Sequence, residues 1–249
     1  MAIEPHGTQN YSMSPAKPKL MMEHIQKNNK EDLFEIESFP PFEREDFYIA
    51  HTKEYVDGFF DNIAPHRSSM MLDWSTEFVE SVQYENSSLY YTIKHSIQNP
   101  DQITFSPSAG FHHAIPTRGA WFCTFSGQVI ASKKIYDELG LSGAYIDLDA
   151  HFGNSIGDSV YFVKDLEKAI PVNLNPGGKG SYYIKSFKSL LEKLKPMILN
   201  KEIHYLVWCH GADSTKMDDM VGQLSDKQWL KCSDIFYNFI KEIDELLLH

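Results

Sequence analysis

The stretch that decides the fold is Ala144-Tyr-Ile-Asp-Leu-Asp-Ala-His-Phe-Gly-Asn154. Its start predicts a β-strand over Ala144–Asp149, on which successive side chains point to opposite faces. One face would carry apolar residues that pack into a core: Ile146, Leu148 and Ala150. The other face would carry ionisable residues: Asp147, Asp149 and His151. Three such groups on a buried strand are costly unless a partner compensates them, and a bound cation is the usual one. The alternative is a strand end at the surface with solvated acids. It is less favoured, because the apolar residues on the other face of the strand require burial.

The chain around this stretch alternates predicted strands with predicted helices. Helical spacing indicates helices over Leu20–Asn28, Thr52–Phe60, 73–98, Gly127–Leu139, Tyr182–Leu199 and Asp226–Leu248. Apolar runs indicate two further strands, Val160–Val163 and His204–Cys209. This alternation is typical of an α/β domain whose mostly parallel sheet is flanked by helices on both faces. We therefore predict an irregular N-terminal segment over 1–19 and a single α/β domain over 20–249.

A second polar segment, Trp208-Cys-His-Gly-Ala-Asp213, follows another predicted strand. Taken alone, Asp213 is better explained as the N-cap of a helix. In parallel sheets, however, ligands bind at the carboxyl ends of the strands, where Asp213 would join Asp149 and His151. Two carboxylates and one imidazole leave an open coordination position, which is the arrangement of a catalytic zinc site.

A pair of histidines lies in the loop Ser108-Ala-Gly-Phe-His-His-Ala114. His112 and His113 could be exposed loop residues, metal ligands, or acid–base groups, because imidazole titrates near neutral pH. The pair by itself does not distinguish these three roles.

Composition limits the classes of function. The 249 residues include 23 Lys and Arg against 34 Asp and Glu, so the net charge is −11. Such an acidic chain argues against direct nucleic-acid binding and suits a cationic or amine-bearing substrate. Three scattered cysteines predict no disulfide framework, and neither a signal peptide nor an apolar run of about 20 residues is evident. We therefore expect a cytoplasmic protein without a membrane segment.

Several motifs resemble, in order and spacing, those of the histone deacetylase family. They are Phe111-His-His-Ala114, Phe122-Cys-Thr-Phe125, Val129-Ile-Ala-Ser132, Asp147-Leu-Asp-Ala-His151-Phe-Gly-Asn154, Val172-Asn-Leu-Asn-Pro-Gly-Gly178 and Gly211-Ala-Asp213. The resemblance runs over roughly residues 14–222. This family includes histone deacetylases, acetylpolyamine amidohydrolases and acetoin-utilisation proteins, and it implies an arginase-like α/β fold.

The resemblance also implies roles for individual residues. The zinc ligands would be Asp149, His151 and Asp213. His113 would be the general base and acid, and His112 the companion histidine that stabilises charge. Asp147 would support the first histidine and contribute to a K⁺ site. Asn154 would lie opposite the second histidine. Phe122 would form one wall of the acyl-lysine tunnel. The implied reaction is hydrolysis of an N-acetyl or related N-acyl amide on a lysine, polyamine or similar amine.

The chain departs from the family pattern at several positions. Phe152 stands where a second histidine is usual, Trp121 replaces the glycine before the tunnel phenylalanine, and Asn175 replaces the opposite tunnel aromatic. We also expect this chain to lack the family's glycine-rich segment with its catalytic tyrosine. These departures keep a second class of function open, namely a metal-containing binding or regulatory module with impaired turnover. A third possibility, an arginase-like ureohydrolase, would need a two-metal cluster with more Asp and His residues. A homo-oligomer is compatible with the hydrolase and with the binding module.

Overall fold

The computed structural model describes residues 16–217 and 221–247. The helices in these ranges are α1 (Lys17–Lys27), α2 (Arg44–Phe47), α3 (Lys53–Phe60), α4 (Thr76–Gln98), α5 (Gly127–Leu139), α6 (Ser155–Ser159), α7 (Leu166–Ala169), α8 (Ser181–Leu199) and α9 (Asp226–Leu247). The strands are β1 (Gly143–Asp147), β2 (Val172–Leu174) and β3 (Tyr205–Cys209). Within the described ranges, no helix combines the length and the apolar character needed to span a bilayer.

The chain divides into two compact units. Among the described residues, the first unit comprises those up to Glu138 together with Asn154–Leu166, and the second comprises Leu139–Gly153 together with those from Glu167 onward. Most of the helices before β1 lie in the first unit, whereas the sheet and helices α8 and α9 lie in the second.

The second unit is built on a parallel sheet with strand order β2-β1-β3. Strand β1 pairs with β2 from Ala144 opposite Val172, and with β3 from Gly143 opposite Tyr205. Because β1 is hydrogen-bonded on both sides, all five of its residues are buried, as expected of a central strand in a parallel sheet. The residues that follow β1 are thereby placed at the carboxyl edge of the sheet.

Helices α8 and α9 form a core with one face of this sheet. Each helix contributes buried residues at intervals of three or four, which is the periodicity of one helical face. These residues are Tyr183, Phe187, Leu191 and Leu194 on α8, and Cys232, Phe236, Phe239 and Ile243 on α9. They join Ala144, Ile146 and Leu148 from β1 and its extension. On the opposite face of β1, Tyr145 and Asp147 are also buried, at 0% and 2% exposure.

The first unit has an aromatic core centred on Phe125, which is fully buried. The Phe125 ring lies 4.5 Å from that of Phe47 and 5.1 Å from those of Tyr55 and Phe59, measured between ring centroids. The Tyr55 hydroxyl donates to the Thr124 carbonyl at 2.6 Å. These contacts hold the segment before α5, including the turn that carries Trp121 and Phe122.

Most of the predicted elements are confirmed, with ends that differ by a few residues. Helix α1 begins at Lys17 instead of Leu20, within the predicted irregular segment 1–19; the rest of that segment, up to residue 15, lies outside the described residues. The strand predicted over Ala144–Asp149 runs from Gly143 to Asp147.

The strand predicted over Val160–Val163 is wrong. This segment is a turn that continues from α6, because the Phe162 and Val163 N–H groups both donate to the Ser159 carbonyl. Its aromatic residues suggested a strand by composition, yet Tyr161 is fully exposed. The actual second strand is β2, whose three residues are too few for a periodic signal.

Phe187 tests the packing of α8 on the sheet. The Phe187→Ala variant should lower the free energy of unfolding by about 3–5 kcal/mol, because it leaves a cavity in the core of the second unit. Tyr182, on the same helix, is 78% exposed, so Tyr182→Ala should change stability by less than about 0.5 kcal/mol. Denaturant unfolding of both variants measures the difference, and equal losses would contradict the packing described here.

Candidate functional site

Three side chains predicted as metal ligands come together at the carboxyl edge of the sheet in the second unit. Asp149 and His151 follow β1, and Asp213 follows β3, its parallel neighbour. The His151 Nδ1 atom lies 2.8 Å from Asp213 Oδ2 and 3.1 Å from Asp149 Oδ1. One potential ligand atom from each residue lies within 4.8 Å of the other two. These residues meet because parallel strands end at the same edge of a sheet.

The backbone of Asp149–His151 helps to hold the acidic groups in place. Three consecutive N–H groups donate to carboxylates: that of Asp149 to Asp147 at 3.1 Å, that of Ala150 to Asp213 at 3.0 Å, and that of His151 to Asp149 at 2.8 Å. Hydrogen bonds from N–H groups fix the orientation of a carboxylate. The turn after β1 therefore orients all three acids at once.

Like charges nevertheless remain close together in this cluster. Burial, and after it the charge of the neighbouring Asp149 carboxylate, raises the pKa of Asp213. The Ala150 N–H and the charge of His151 oppose this shift. A cation bound among these side chains would reverse the balance, because it attracts both carboxylates.

The donor set fits a single metal ion. Around a tetrahedral zinc ion, ligand atoms about 2.0–2.2 Å from the metal lie roughly 3.4 Å from each other. The two distances from His151 Nδ1, 2.8 Å and 3.1 Å, need to widen only slightly to reach that spacing. The side chains are partly exposed, between 20% and 42%, so an ion could reach them from solvent.

Gly211 lets the loop after β3 approach this cluster closely. A Cβ atom at this position would lie 2.8 Å from the Asp149 Cα atom and 3.0 Å from both Asp149 Oδ2 and Asp213 Oδ1. Any larger residue would therefore displace the acids themselves. The glycine just before Ala212-Asp213 is thus required by packing at the site.

The histidine pair lies in the first unit, and its hydrogen bonds define a tautomer. The Asn154 amide nitrogen donates to Asp158 Oδ2 at 2.7 Å, so its carbonyl oxygen is the atom that faces His113. That oxygen lies 2.9 Å from His113 Nδ1, which must therefore carry the proton. Nε2 of His113 is left as the nitrogen able to accept a proton. The His112 ring lies beside that of His113, with centroids 4.1 Å apart and planes tilted by 50°.

Glu85 on α4 holds the backbone that leads into the histidines. Its Oε1 atom accepts hydrogen bonds from the N–H groups of Ala109 and Gly110. Withdrawal from water raises the pKa of Glu85 to about 7, and the two N–H groups counteract part of that rise. Glu85 therefore fixes the loop immediately before Phe111-His112-His113.

Trp121 and Phe122, both predicted as tunnel residues, form a tight turn in the first unit. Ala120 and Cys123 exchange both backbone hydrogen bonds across the turn, at 3.0 Å and 2.9 Å. The central φ angles are +47° at Trp121 and +70° at Phe122, as in a type I′ turn. Such a turn favours glycine and asparagine, whereas two bulky aromatic residues are strained in it. The Trp121 side chain is 63% exposed and gains little from packing.

The other predicted site residues occupy distinct environments. The Asn175 side-chain oxygen accepts the Gly153 N–H at 3.0 Å, so its amide supports the turn after β1. Phe152, which follows the predicted ligand His151, is 72% exposed. Asp147 is 2% exposed and accepts the Asp149 N–H at the end of β1.

The fold is a parallel sheet packed against helices, and two carboxylates and an imidazole meet at the carboxyl edge of that sheet. These features define the class of α/β domains with a candidate metal site. The sequence model for the histone deacetylase domain matches residues 11–168, more than half of the chain. The chain therefore belongs to the histone deacetylase family, and the predicted membership is confirmed.

Individual relatives are distant in sequence. The chain is 23% identical over 167 residues to "Histone deacetylase 10, chloroplastic" of Oryza sativa subsp. japonica. The matched region covers 58% of this chain and 36% of that protein. The chain thus spans about a third of the length of that curated relative.

Solved structures show the fold. The crystal structure of an HDAC homologue complexed with SAHA has a TM-score of 0.69 at 18% identity, covering 90% of this chain and 69% of that one. The HDA15 HD domain has a TM-score of 0.65 at 11% identity, covering 95% and 76%. The predicted arginase-like α/β fold is confirmed.

Several residues that shape the site gave no signal in the sequence. Glu85 is one acid among several on a helix, and nothing local connects it with the histidine loop. Asp158, which orients Asn154, likewise stands out only through its contact. The loop after β3 forms a turn in which the Ser214 hydroxyl donates to the Gly211 carbonyl. In the sequence, this turn is indicated only by the glycine and the serine three residues after it.

Trp121 should lower the stability of the folded chain. Trp121→Gly should raise the free energy of unfolding by about 1 kcal/mol, because glycine adopts a positive φ without strain. Thermal or denaturant unfolding measures the gain. As a control, Tyr161 is also exposed but does not have a positive φ, so Tyr161→Gly should give no gain. A Trp121→Gly variant less stable than the wild type would show that the indole stabilises the fold through contacts.

Proposed function

We propose that this chain is the deacetylase domain of a zinc-dependent hydrolase that cleaves an N-acetyl or related N-acyl amide from an amine. The observation that carries the proposal is the convergence of Asp149, His151 and Asp213 at the carboxyl edge of the sheet. Membership of the histone deacetylase family supports the same reaction class. The substrate would be an acylated lysine, an acylated polyamine or a small acylated amine.

The three side chains would hold the zinc ion, leaving a coordination position open. When bound, zinc supplies Lewis acidity toward the amide carbonyl and lowers the pKa of a coordinated water. The N–H groups of Ala150 and His151 keep the Asp213 and Asp149 carboxylates oriented for that role. By resemblance, we also propose a K⁺ ion near the buried Asp147, whose charge a cation would compensate.

His113 would move the protons. With its Nδ1 proton held by Asn154, its Nε2 atom can accept a proton from the attacking water and return one to the leaving amine. The water oxygen then becomes part of the released carboxylic acid as the carbon–nitrogen bond breaks. His112 would stabilise the negative charge that develops on the carbonyl oxygen.

The substrate preference follows from charge and from the exposed turn. A net charge of −11 favours an amine-bearing substrate over an anionic one. Trp121 and Phe122 would contribute aromatic walls to the substrate channel, which suits the methylene chain of an acylated lysine or polyamine.

Asp149→Asn tests the metal centre. The variant should lose most bound zinc and reduce hydrolysis of an acetyl-lysine peptide by roughly a hundredfold, because an amide is a much weaker ligand than a carboxylate. Zinc content by elemental analysis and steady-state rates measure the two effects. Asp101→Asn, an exposed aspartate in a turn, is the matched control and should retain both zinc and rate.

The outcomes separate the two classes of function. Full zinc content in Asp149→Asn would overturn the proposed ligand set. A wild-type protein that binds zinc at Asp149 but hydrolyses neither acetyl-lysine nor acetylpolyamine would favour a binding or regulatory module instead.

Asn154→Asp tests the assigned tautomer of His113 through the pH dependence of the reaction. A carboxylate beside Nδ1 stabilises the imidazolium and so raises the pKa of His113 by about one unit. The base must be neutral, so the acidic limb of the kcat/KM profile should move to higher pH by that amount.

The control for this shift is Asn62→Asp, which makes the same change of charge at an exposed position. Its pH profile should superimpose on that of the wild type. If the Asn154→Asp profile also superimposes, His113 is not the group that limits the rate at low pH.

A further inference from the structure

The loop that carries Asp213 is attached to helix α9 by a group of aromatic rings. The His210 imidazole lies parallel to the Trp229 indole, with centroids 3.9 Å apart and planes 10° apart. It also lies parallel to the Trp208 indole, at 4.4 Å and 20°. Two indoles that both stack on one small ring must cover its opposite faces. His210 is therefore held between a residue of β3 and a residue of α9.

Hydrogen bonds complete this attachment. The Trp229 indole N–H donates to the Gly211 carbonyl at 2.9 Å, and the Ser233 hydroxyl lies 3.1 Å from His210 Nε2. Burial lowers the pKa of His210 to about 4, so the ring is neutral where it stacks. The Phe236 ring of α9 packs against the Trp208 indole, with centroids 4.5 Å apart.

The α9 residues in this group occupy one face of the helix. Trp229, Ser233 and Phe236 are spaced at i, i+4 and i+7, which places them in a row. We name this row, together with Trp208 and His210, the ring clamp. Buried Phe236 also belongs to the core between α9 and the sheet, so the clamp is attached to the core of the second unit.

The loop held by the ring clamp is the one that contacts the acids. The Gly211 carbonyl accepts the Trp229 N–H, while its Cα faces Asp149 so closely that a Cβ would lie 3.0 Å from Asp149 Oδ2. A shift of Gly211 must therefore move Asp213 relative to Asp149 and His151. The donor atoms of a metal site tolerate only a few tenths of an ångström of such movement.

We propose that Trp229 and Ser233 on α9 are positioning residues for the metal centre, which set its affinity through the Gly211 carbonyl and the His210 ring. This inference rests on the proposed function, since it assumes that Asp149, His151 and Asp213 bind zinc. Neither residue would touch the ion or the substrate. Helix α9 would thus tune metal affinity, in addition to closing the core of the second unit.

The test is zinc affinity, measured on the whole chain by competition with a chromophoric chelator. Trp229→Phe removes the indole N–H while retaining a ring for stacking, and it should weaken zinc binding by about tenfold, as loss of groups that orient ligands does elsewhere. The matched control is Trp74→Phe, because the Trp74 indole N–H donates to the Phe59 carbonyl at 2.7 Å within the first unit. Trp74→Phe should leave zinc affinity unchanged, although it loses the same kind of hydrogen bond.

Thermal unfolding of the metal-free proteins separates positioning from general stability. We expect Trp229→Phe and Trp74→Phe to lose similar stability, with weaker zinc binding in the first alone. Equal zinc affinity in the two variants would overturn the inference. Should Trp229→Phe fail to fold, Ser233→Ala removes only the hydroxyl beside His210; severalfold weaker zinc binding would support the inference, and wild-type affinity would overturn it.

Failure of the proposed function gives a different pattern. In that case the wild type binds no zinc, or binds it equally well when Asp149 is replaced by Asn. A wild type whose zinc binding depends on Asp149 but not on Trp229 or Ser233 would leave the metal centre intact and remove the role of the ring clamp alone.

Discussion

The structure depends on gathering like-charged carboxylates at the end of a buried central strand. Asp147 is withdrawn from water. Burial raises the pKa of Asp213, and the charge of the nearby Asp149 carboxylate raises it further. Uncompensated, such a group of charges opposes folding. In the second unit, backbone N–H groups compensate the charge of these carboxylates in part. A cation bound among them would compensate it further.

The compensation from the protein comes from the backbone. The turn that follows β1 directs three successive N–H groups at the three acids. Buried Tyr183 on α8 donates to the Leu148 carbonyl at 3.1 Å and so anchors the start of this turn to the helical layer. On the other strand, the Gly211 carbonyl is held by Trp229 of α9. Both helices that fill the core therefore also position the acids.

In the first unit, side chains likewise hold the backbone and one ring of the histidine pair in place. Glu85 holds the backbone before the histidine pair, and Asn154 holds one imidazole nitrogen in its protonated form. The turn at Trp121 is different, because its positive φ is strained for an indole that remains mostly exposed.

Local patterns in the sequence were sufficient for the helices longer than ten residues, for β1 and β3, and for the family, because periodicity and the Asp-Leu-Asp-Ala-His string are local signals. They were insufficient for β2, too short to show a period, and for Val160–Val163, where composition favoured a strand and hydrogen bonds to Ser159 made a turn. The candidate ligands could be named from sequence, but only tertiary structure brings Asp213 to His151, since their strands pair through a crossover. The supporting contacts of Glu85 and Trp229 were likewise decided by tertiary structure, because each joins residues that no local pattern links.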